Sequence, residues 1–116
     1  MSCLELDDAK ASEIAEPMMD DIMTGIARRD YALHTAHHSV NLKSTLTSNA
    51  FLAVCDTRES DWGPPGIREL VCVFRKKKSF TLIWNQHYGK VDGQVMAVTT
   101  IALKGGRYFV DFFLLH

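Results

Sequence analysis

The stretch DWGPPG, Asp61 to Gly66, decides how this chain is read. Proline lacks the amide hydrogen and fixes φ, and glycine loses the most backbone entropy on ordering. Two of each within six residues end one kind of structure and turn the chain into another. Before the stretch, apolar residues recur at helical period. After it, they form blocks rich in β-branched and aromatic residues.

Working back from Asp61, a first helix is expected over 7–28. Asp7 or Asp8 can cap it by accepting hydrogen bonds from the free amides of its first turn. Ile14, Met18, Ile22 and Ile26 recur every four residues, with Met19 and Met23 alongside, which makes an apolar stripe. Pro17 interrupts that stripe. Either the helix kinks there, or Pro17 opens the main helix and 7–16 forms a separate turn. The charged run RRD ends this segment. A second, shorter helix then carries Tyr31, Leu33 and the histidines of LHTAHHS (33–39). In NLKSTLTSNAFLAVCDTRE (41–59), Thr47 or Ser48 can cap a third helix with Phe51, Leu52 and Cys55 on its apolar face.

Working forward from Gly66, IRELVCVF (67–74), SFTLIWNQHY (79–88), GQVMAVTTIAL (93–103) and RYFVDFFLL (107–115) read as strands. The connections RKKK, GKVDG and KGG are short enough for hairpins, so neighbours should be antiparallel and the order a four-stranded meander. Several strands are apolar on both faces. One face must meet the helices, and the other asks for a partner chain.

The 116 residues suit one domain, 1–116, with helices over about 7–60 and a sheet over about 66–115. Hydrophobic residues make up 47% and charged residues 23%, which is ordinary for a globular chain with a real core. A net charge of −1 argues against a nucleic-acid partner held by a general electrostatic field. No apolar run reaches the roughly 20 residues of a membrane span. The opening MSCLELDDAK lacks the basic and apolar regions of an export signal, so the expected compartment is the cytoplasm. Cys3, Cys55 and Cys72 are scattered without CxxC spacing, and free thiols are expected.

The order of helices and then four long strands, together with RRDYALHTAHHS (28–39), NLKSTLT (41–47) and GGRYFVDFF (105–113), resembles the nuclear transport factor 2-like superfamily, also described as cystatin-like cones. The likeness spans nearly the whole chain and is greatest to small bacterial members of unknown function. It implies an α+β fold: three N-terminal helices packed on a curved four-stranded antiparallel sheet, with a pocket between them. The superfamily includes isomerases, dehydratases, ligand binders and plain dimerisation modules, so fold alone does not give function.

On one helix, His34, His37 and His38 would share a side, with Asp30 one turn before His34. Asp30 and His38 would lie about 12 Å apart along the axis. One ion with ligand distances of roughly 2.0–2.2 Å cannot easily take both, so no metal is expected. The resemblance turns His34 and His38 inward and His37 outward. Inward histidines are either hydrogen-bonded core residues or pocket groups that titrate near neutrality. Strand alternation separates Trp84, Gln86 and Tyr88 from Ile83, Asn85 and His87. The resemblance aims Trp84 at the helices and, by the same register, Ala97, Thr99 and Ile101 inward. The expected pocket residues are therefore Tyr31, His34, His38, Trp84, Gln86, Tyr88 and Thr99, unless bulky side chains plug the cone. The resemblance places Asp111 outward, at the surface or a dimer edge. RKKK reads as a solvated turn without the interleaved aromatics of a single-strand binder, and no glycine-rich phosphate loop is present.

Three functional readings remain open. The first is a homodimer through the outer sheet face, binding a small apolar ligand without a cofactor or catalytic residue. The second is a small lyase or isomerase using His34 or His38 as acid–base, with Gln86 or Tyr88 orienting substrate. The third is a dimerisation module without a ligand.

Overall fold

The computed structural model describes residues 2–116. Helix α4 (Ser48–Trp62) ends where the Gly-Pro stretch begins, and β1 (Pro65–Arg75) starts inside it. Gly63 takes φ 76°, a left-handed value that favours glycine. The turn is pinned to Gly89 and Lys90: Lys90 N–H donates to Trp62 O at 2.9 Å and Gly89 N–H to Pro64 O at 3.2 Å.

Helix α1 (Asp8–Arg28) is continuous through Pro17. Asp7 is its cap, its side chain accepting from Lys10 N–H at 2.8 Å. Pro17 lies on the exposed face, so the backbone carbonyl it leaves without an amide partner is on the solvent side. The buried stripe is centred on Ala11, Ala15, Met19 and Ile22, while Ile14, Met18 and Ile26 flank it half-buried. The two alanines let α1 lie close to the large residues of the sheet.

Among the described residues there are four α-helices rather than three, besides a 3-10 turn at Cys3–Glu5. In place of the expected second helix are two single turns, α2 (Tyr31–His34) and α3 (Val40–Ser44). Between them the backbone runs beside β4 (Arg107–Leu115) as a one-residue parallel bridge, His38 to Val110. Ser39 N–H donates to Val110 O and Val110 N–H to His37 O, both at 2.7 Å. These bonds satisfy part of an otherwise open sheet edge, and they are why the histidine segment leaves the helix. Thr47 caps α4 by accepting from Ala50 N–H at 3.1 Å. Phe51 and Cys55 form the buried face of α4, but Leu52 is exposed, contrary to expectation.

The sheet is the expected antiparallel meander, β1-β2-β3-β4, with β2 at Ser79–Tyr88 and β3 at Val95–Lys104. Trp84 pairs with Ala97 and Leu82 with Thr99, so Phe80, Leu82, Trp84 and Gln86 line one face with Val95, Ala97, Thr99 and Ile101. Register shifts in β1 and at Thr100/Ile101 mark bulges that bend the sheet about α1. The β3–β4 turn has Gly105 at φ 58° and Gly106 at φ 76°, as a tight hairpin turn requires. Arg68 clamps β1 to α1 through Glu16 and Asp20, each at 2.5 Å.

The closest approach of α1 to α2 is at Gly25. A Cβ there would lie 2.5 Å from His34 N and 2.6 Å from His34 Cα. Gly25→Ala is therefore expected to destabilise the fold by about 2 kcal/mol, despite the roughly 1 kcal/mol by which alanine is the better helix former. Urea unfolding checks this. A stabilised variant would show that α2 is not held against α1.

Candidate functional site: a cleft between the long helices and the sheet

Asp30 caps α2, accepting from Leu33 N–H at 3.0 Å, after Arg29 has ended α1 in the left-handed conformation. This turn buries His34 (4% exposed) against α1. His34 Nδ1 lies 3.0 Å from Ile22 O, so it carries the hydrogen, and the ring stacks on Phe51 at 4.7 Å. His38, beyond the helix, meets the His34 ring edge-on at 5.2 Å. Its Nδ1 is buried without a hydrogen-bond partner among the described residues. Burial, followed by the charges of His34, His37 and Lys43, lowers the His38 pKa to about 4. Burial also lowers His34, only partly opposed by the Ile22 carbonyl. His37 turns away and pairs with Asp21 at 2.7 Å. The three histidines therefore do not share one helical side. Among the described residues no group of three His, Cys, Asp or Glu side chains is arranged to hold a metal ion.

The seven residues expected to share one pocket are divided among several environments. Trp84 and Thr99 are packed solid between α1 and the sheet, whereas Gln86, equally buried, borders a shallow hollow between α1 and β1, its Oε1 unpaired among the described residues. Trp84 Nε1 donates to Glu16 Oε1 at 2.9 Å and Thr99 Oγ1 contacts Met19 Sδ at 3.0 Å. The Gln86 amide donates to Gly66 O at 2.9 Å and His87 O at 3.1 Å. Tyr31 donates its hydroxyl to Leu46 O at 2.7 Å and meets Phe51 edge-on. Tyr88 and His34 reach open space, but in different cavities.

The first cavity, about 200 Å³, lies between the C-terminal half of α1, α4 and the Gly-Pro turn, with Met23, Ile26, Cys55, Arg58 and Tyr88 in its wall. The second, about 190 Å³, is walled by Ile26, His34, Phe51, Arg58, Phe113 and Leu115. Ile26 and Arg58 belong to both, so the two spaces flank the same pair of side chains. Together they form a mostly apolar cleft with one cation at its middle. Burial raises Cys55, so its thiol stays protonated, and burial pushes Tyr88 up to about 12, against the pull of Arg58.

Arg58 was not among the expected site residues. Its immediate sequence, DTRESD, reads as a polar helix face. The signal that could have found it is periodicity: Phe51, Cys55, Arg58 and Trp62 fall at i, i+4, i+7 and i+11, which places the arginine in the apolar stripe. Asp111, in the β4 bulge, accepts from Ser39 Oγ at 2.7 Å and from Lys104 Nζ at 3.3 Å. The Ser39 bond first, with Lys104, holds its carboxyl below the usual range. It joins α3 to the sheet and lies outside the cleft. In RKKK, Lys76, Lys77 and Lys78 are exposed, whereas Arg75 turns back to Leu6 O and Asp8.

No family model matches the sequence, and no curated protein matches it. Solved structures share its fold. An NTF2-like protein of unknown function from Pseudomonas putida KT2440 superposes with a TM-score of 0.58 and 16% identity, over 93% of this chain and 87% of that one. The structure of Bdellovibrio bacteriovorus Bd1075 superposes with a TM-score of 0.52 and 6% identity, over 89% of this chain and 39% of that one. The architecture is thus the nuclear transport factor 2-like cone: helices first, then a curved antiparallel sheet around them. No helix among the described residues is long and apolar enough to cross a membrane.

Proposed function

We propose that this chain, a nuclear transport factor 2-like cone, is a homodimer that binds a small apolar molecule in the cleft between α1, α4 and the sheet. The observation that carries the reading is the pair of cavities sharing Ile26 and Arg58. Their apolar walls and few convergent polar groups are how small-molecule sites are built, and their size favours ligands below the usual drug range. The acid–base alternative has less support. The Gln86 amide nitrogen is engaged by backbone carbonyls, and Tyr88 lines one of the cleft's two cavities and His34 the other. Titration with a library of small aromatic fragments, followed by NMR, is expected to shift the signals of Ile26, Cys55 and Tyr88. A library that moves none of them counts against the cleft as a site.

The dimer reading rests on the outer face of the sheet. Ile67, Val71 and Phe74 of β1 are 71%, 64% and 62% exposed, and Met96, Phe112 and Leu114 are exposed on β3 and β4. Ile83 and Val98 pair between them, beside a Thr81–Thr100 hydroxyl pair at 2.7 Å. Charge is confined to the margin, where His87 meets Glu69 at 2.6 Å and Lys104 meets Asp111. An apolar field of this kind with a polar rim suits a self-complementary two-fold interface. Sedimentation equilibrium at micromolar concentration is expected to give twice the chain mass of 13.1 kDa. Phe112→Asp is expected to return the single-chain mass. A wild-type protein that sediments as one chain refutes the dimer.

A further inference from the structure

We propose that the cleft selects an apolar carboxylate, with Arg58 as the anchor of the anionic group and Tyr88 as a second donor to it. This rests on the cleft being a binding site and names the class of ligand it takes.

The argument is a count of donors and acceptors. Arg58 is charged at any ordinary pH and carries five N–H donors. Its guanidinium lies 3.9 Å from the Trp62 ring centroid, which fixes its plane and leaves its edge for hydrogen bonding. One hydrogen bond is made, Nη2 donating to Leu115 O at a long 3.5 Å. Nε is buried and has no hydrogen-bond partner among the described residues. Among the described residues no carboxylate pairs with Arg58. The nearby acids of α4, Asp56 and Glu59, are both bound by Arg29 from the end of α1. Glu59 is in the wall of the first cavity and is held by Arg29, which it shares with Asp56.

Tyr88 adds to the imbalance. Its ring packs edge-on against Trp62 at 5.0 Å, and its hydroxyl has no hydrogen-bond partner among the described residues. It stays protonated and so remains a donor. The cleft thus holds a fixed positive charge with no paired carboxylate among the described residues, and the Tyr88 hydroxyl as a further donor, with apolar surface on both sides of Arg58. A neutral ligand would satisfy a donor but leave the charge unmatched. A carboxylate matches both, through charge-assisted bonds that planar guanidinium groups make in pairs. The apolar body of such a ligand then lies against Ile26 and Phe51 or against Met23.

The test uses the full chain and two probes of one shape, 3-phenylpropionate and its neutral counterpart 3-phenylpropan-1-ol. Both are titrated at pH 7.5, following Trp fluorescence and the Ile26 methyl signal. The acid is expected to bind roughly tenfold more tightly than the alcohol, as charge-assisted bonds exceed neutral ones. Arg58→Gln is expected to abolish that preference, and Tyr88→Phe to weaken the acid by about threefold and the alcohol by less. Arg58→Lys, which retains the charge, is expected to retain part of the preference. Thermal unfolding of each variant separates lost binding from lost folding. Equal affinity of the two probes, or an Arg58→Gln variant that still prefers the acid, overturns the carboxylate assignment while the cleft remains a site. Failure of both probes to bind overturns the assignment together with the reading it rests on.

Discussion

Trp84→Ala is expected to lower stability by about 3–5 kcal/mol, the range for deleting a buried aromatic. Trp84 is 1% exposed and central to the inner face, between Leu70 of β1 and Ala97 of β3. Its removal opens a cavity under α1 that the rigid sheet cannot close. It also takes away the indole donor of Glu16, which Arg68 still holds. A chain of 116 residues has about 5–15 kcal/mol of net stability, so this one change removes a large share of it. At roughly 4 °C per kcal/mol, the melting temperature should fall by about 12–20 °C. Trp84→Phe keeps most of the apolar contact and should cost roughly 1–2 kcal/mol. Calorimetry measures both. A Trp84→Ala protein that melts within a few degrees of wild type would mean that α1 does not rest on this residue.

The second large effect is on pH. Folded His38 stays neutral down to about pH 4, whereas in the unfolded chain it takes a proton near its ordinary 6.5. Above pH 6.5 both states hold it neutral, and it adds no pH dependence. Between 6.5 and about 4 the unfolded chain binds more protons, so stability falls as pH falls. Below about 4 the folded ring is protonated too, and the loss stops growing. The full shift corresponds to roughly 3 kcal/mol, and partial contact with solvent reduces this to about 2. His34, lowered in the same direction, steepens the decline. The bridge to Val110 and the stack on Phe51 are the contacts that protonation would strain. Urea unfolding from pH 7.5 to 4.5 should show the decline, and His38→Gln should flatten it. Carboxylates such as Asp111, held below their usual range, act mainly at lower pH and remain in the variant. Stability that is level from pH 7 to 5 would show that the histidines reach water freely.

Where the structure matches the expectation, the signal was local. Asp7 and Thr47 are helix caps because each side chain reaches an amide three residues on, a contact that needs only its own turn of chain. Gly63, Pro64 and Pro65 divide helix from strand because their backbones admit little else. Trp84 and Gln86 point together because a strand alternates, and once Trp84 faces the helices, pairing carries Ala97, Thr99 and Ile101 with it.

The sequence by itself therefore determined the division into helices and then strands, the caps of the two long helices and the alternation along each strand, since each follows from periodicity or from bonds spanning a few residues, whereas the choice of inner face came from the resemblance. Tertiary structure decided the site. LHTAHHS has helical spacing, yet its backbone leaves the helix after His34 to bond Val110, about seventy residues away, because an open sheet edge offers better partners than another turn of helix. Leu52 looks apolar enough for the core, but the rotation of α4 gives the buried positions to Phe51 and Cys55. Arg58 looks like a solvated charge until Arg29 takes its acidic neighbours and leaves it facing the cleft without a counter-ion. Whether a charge is matched depends on which other segments reach it, and only the packed molecule brings Arg29, Arg58, Trp62 and Tyr88 together.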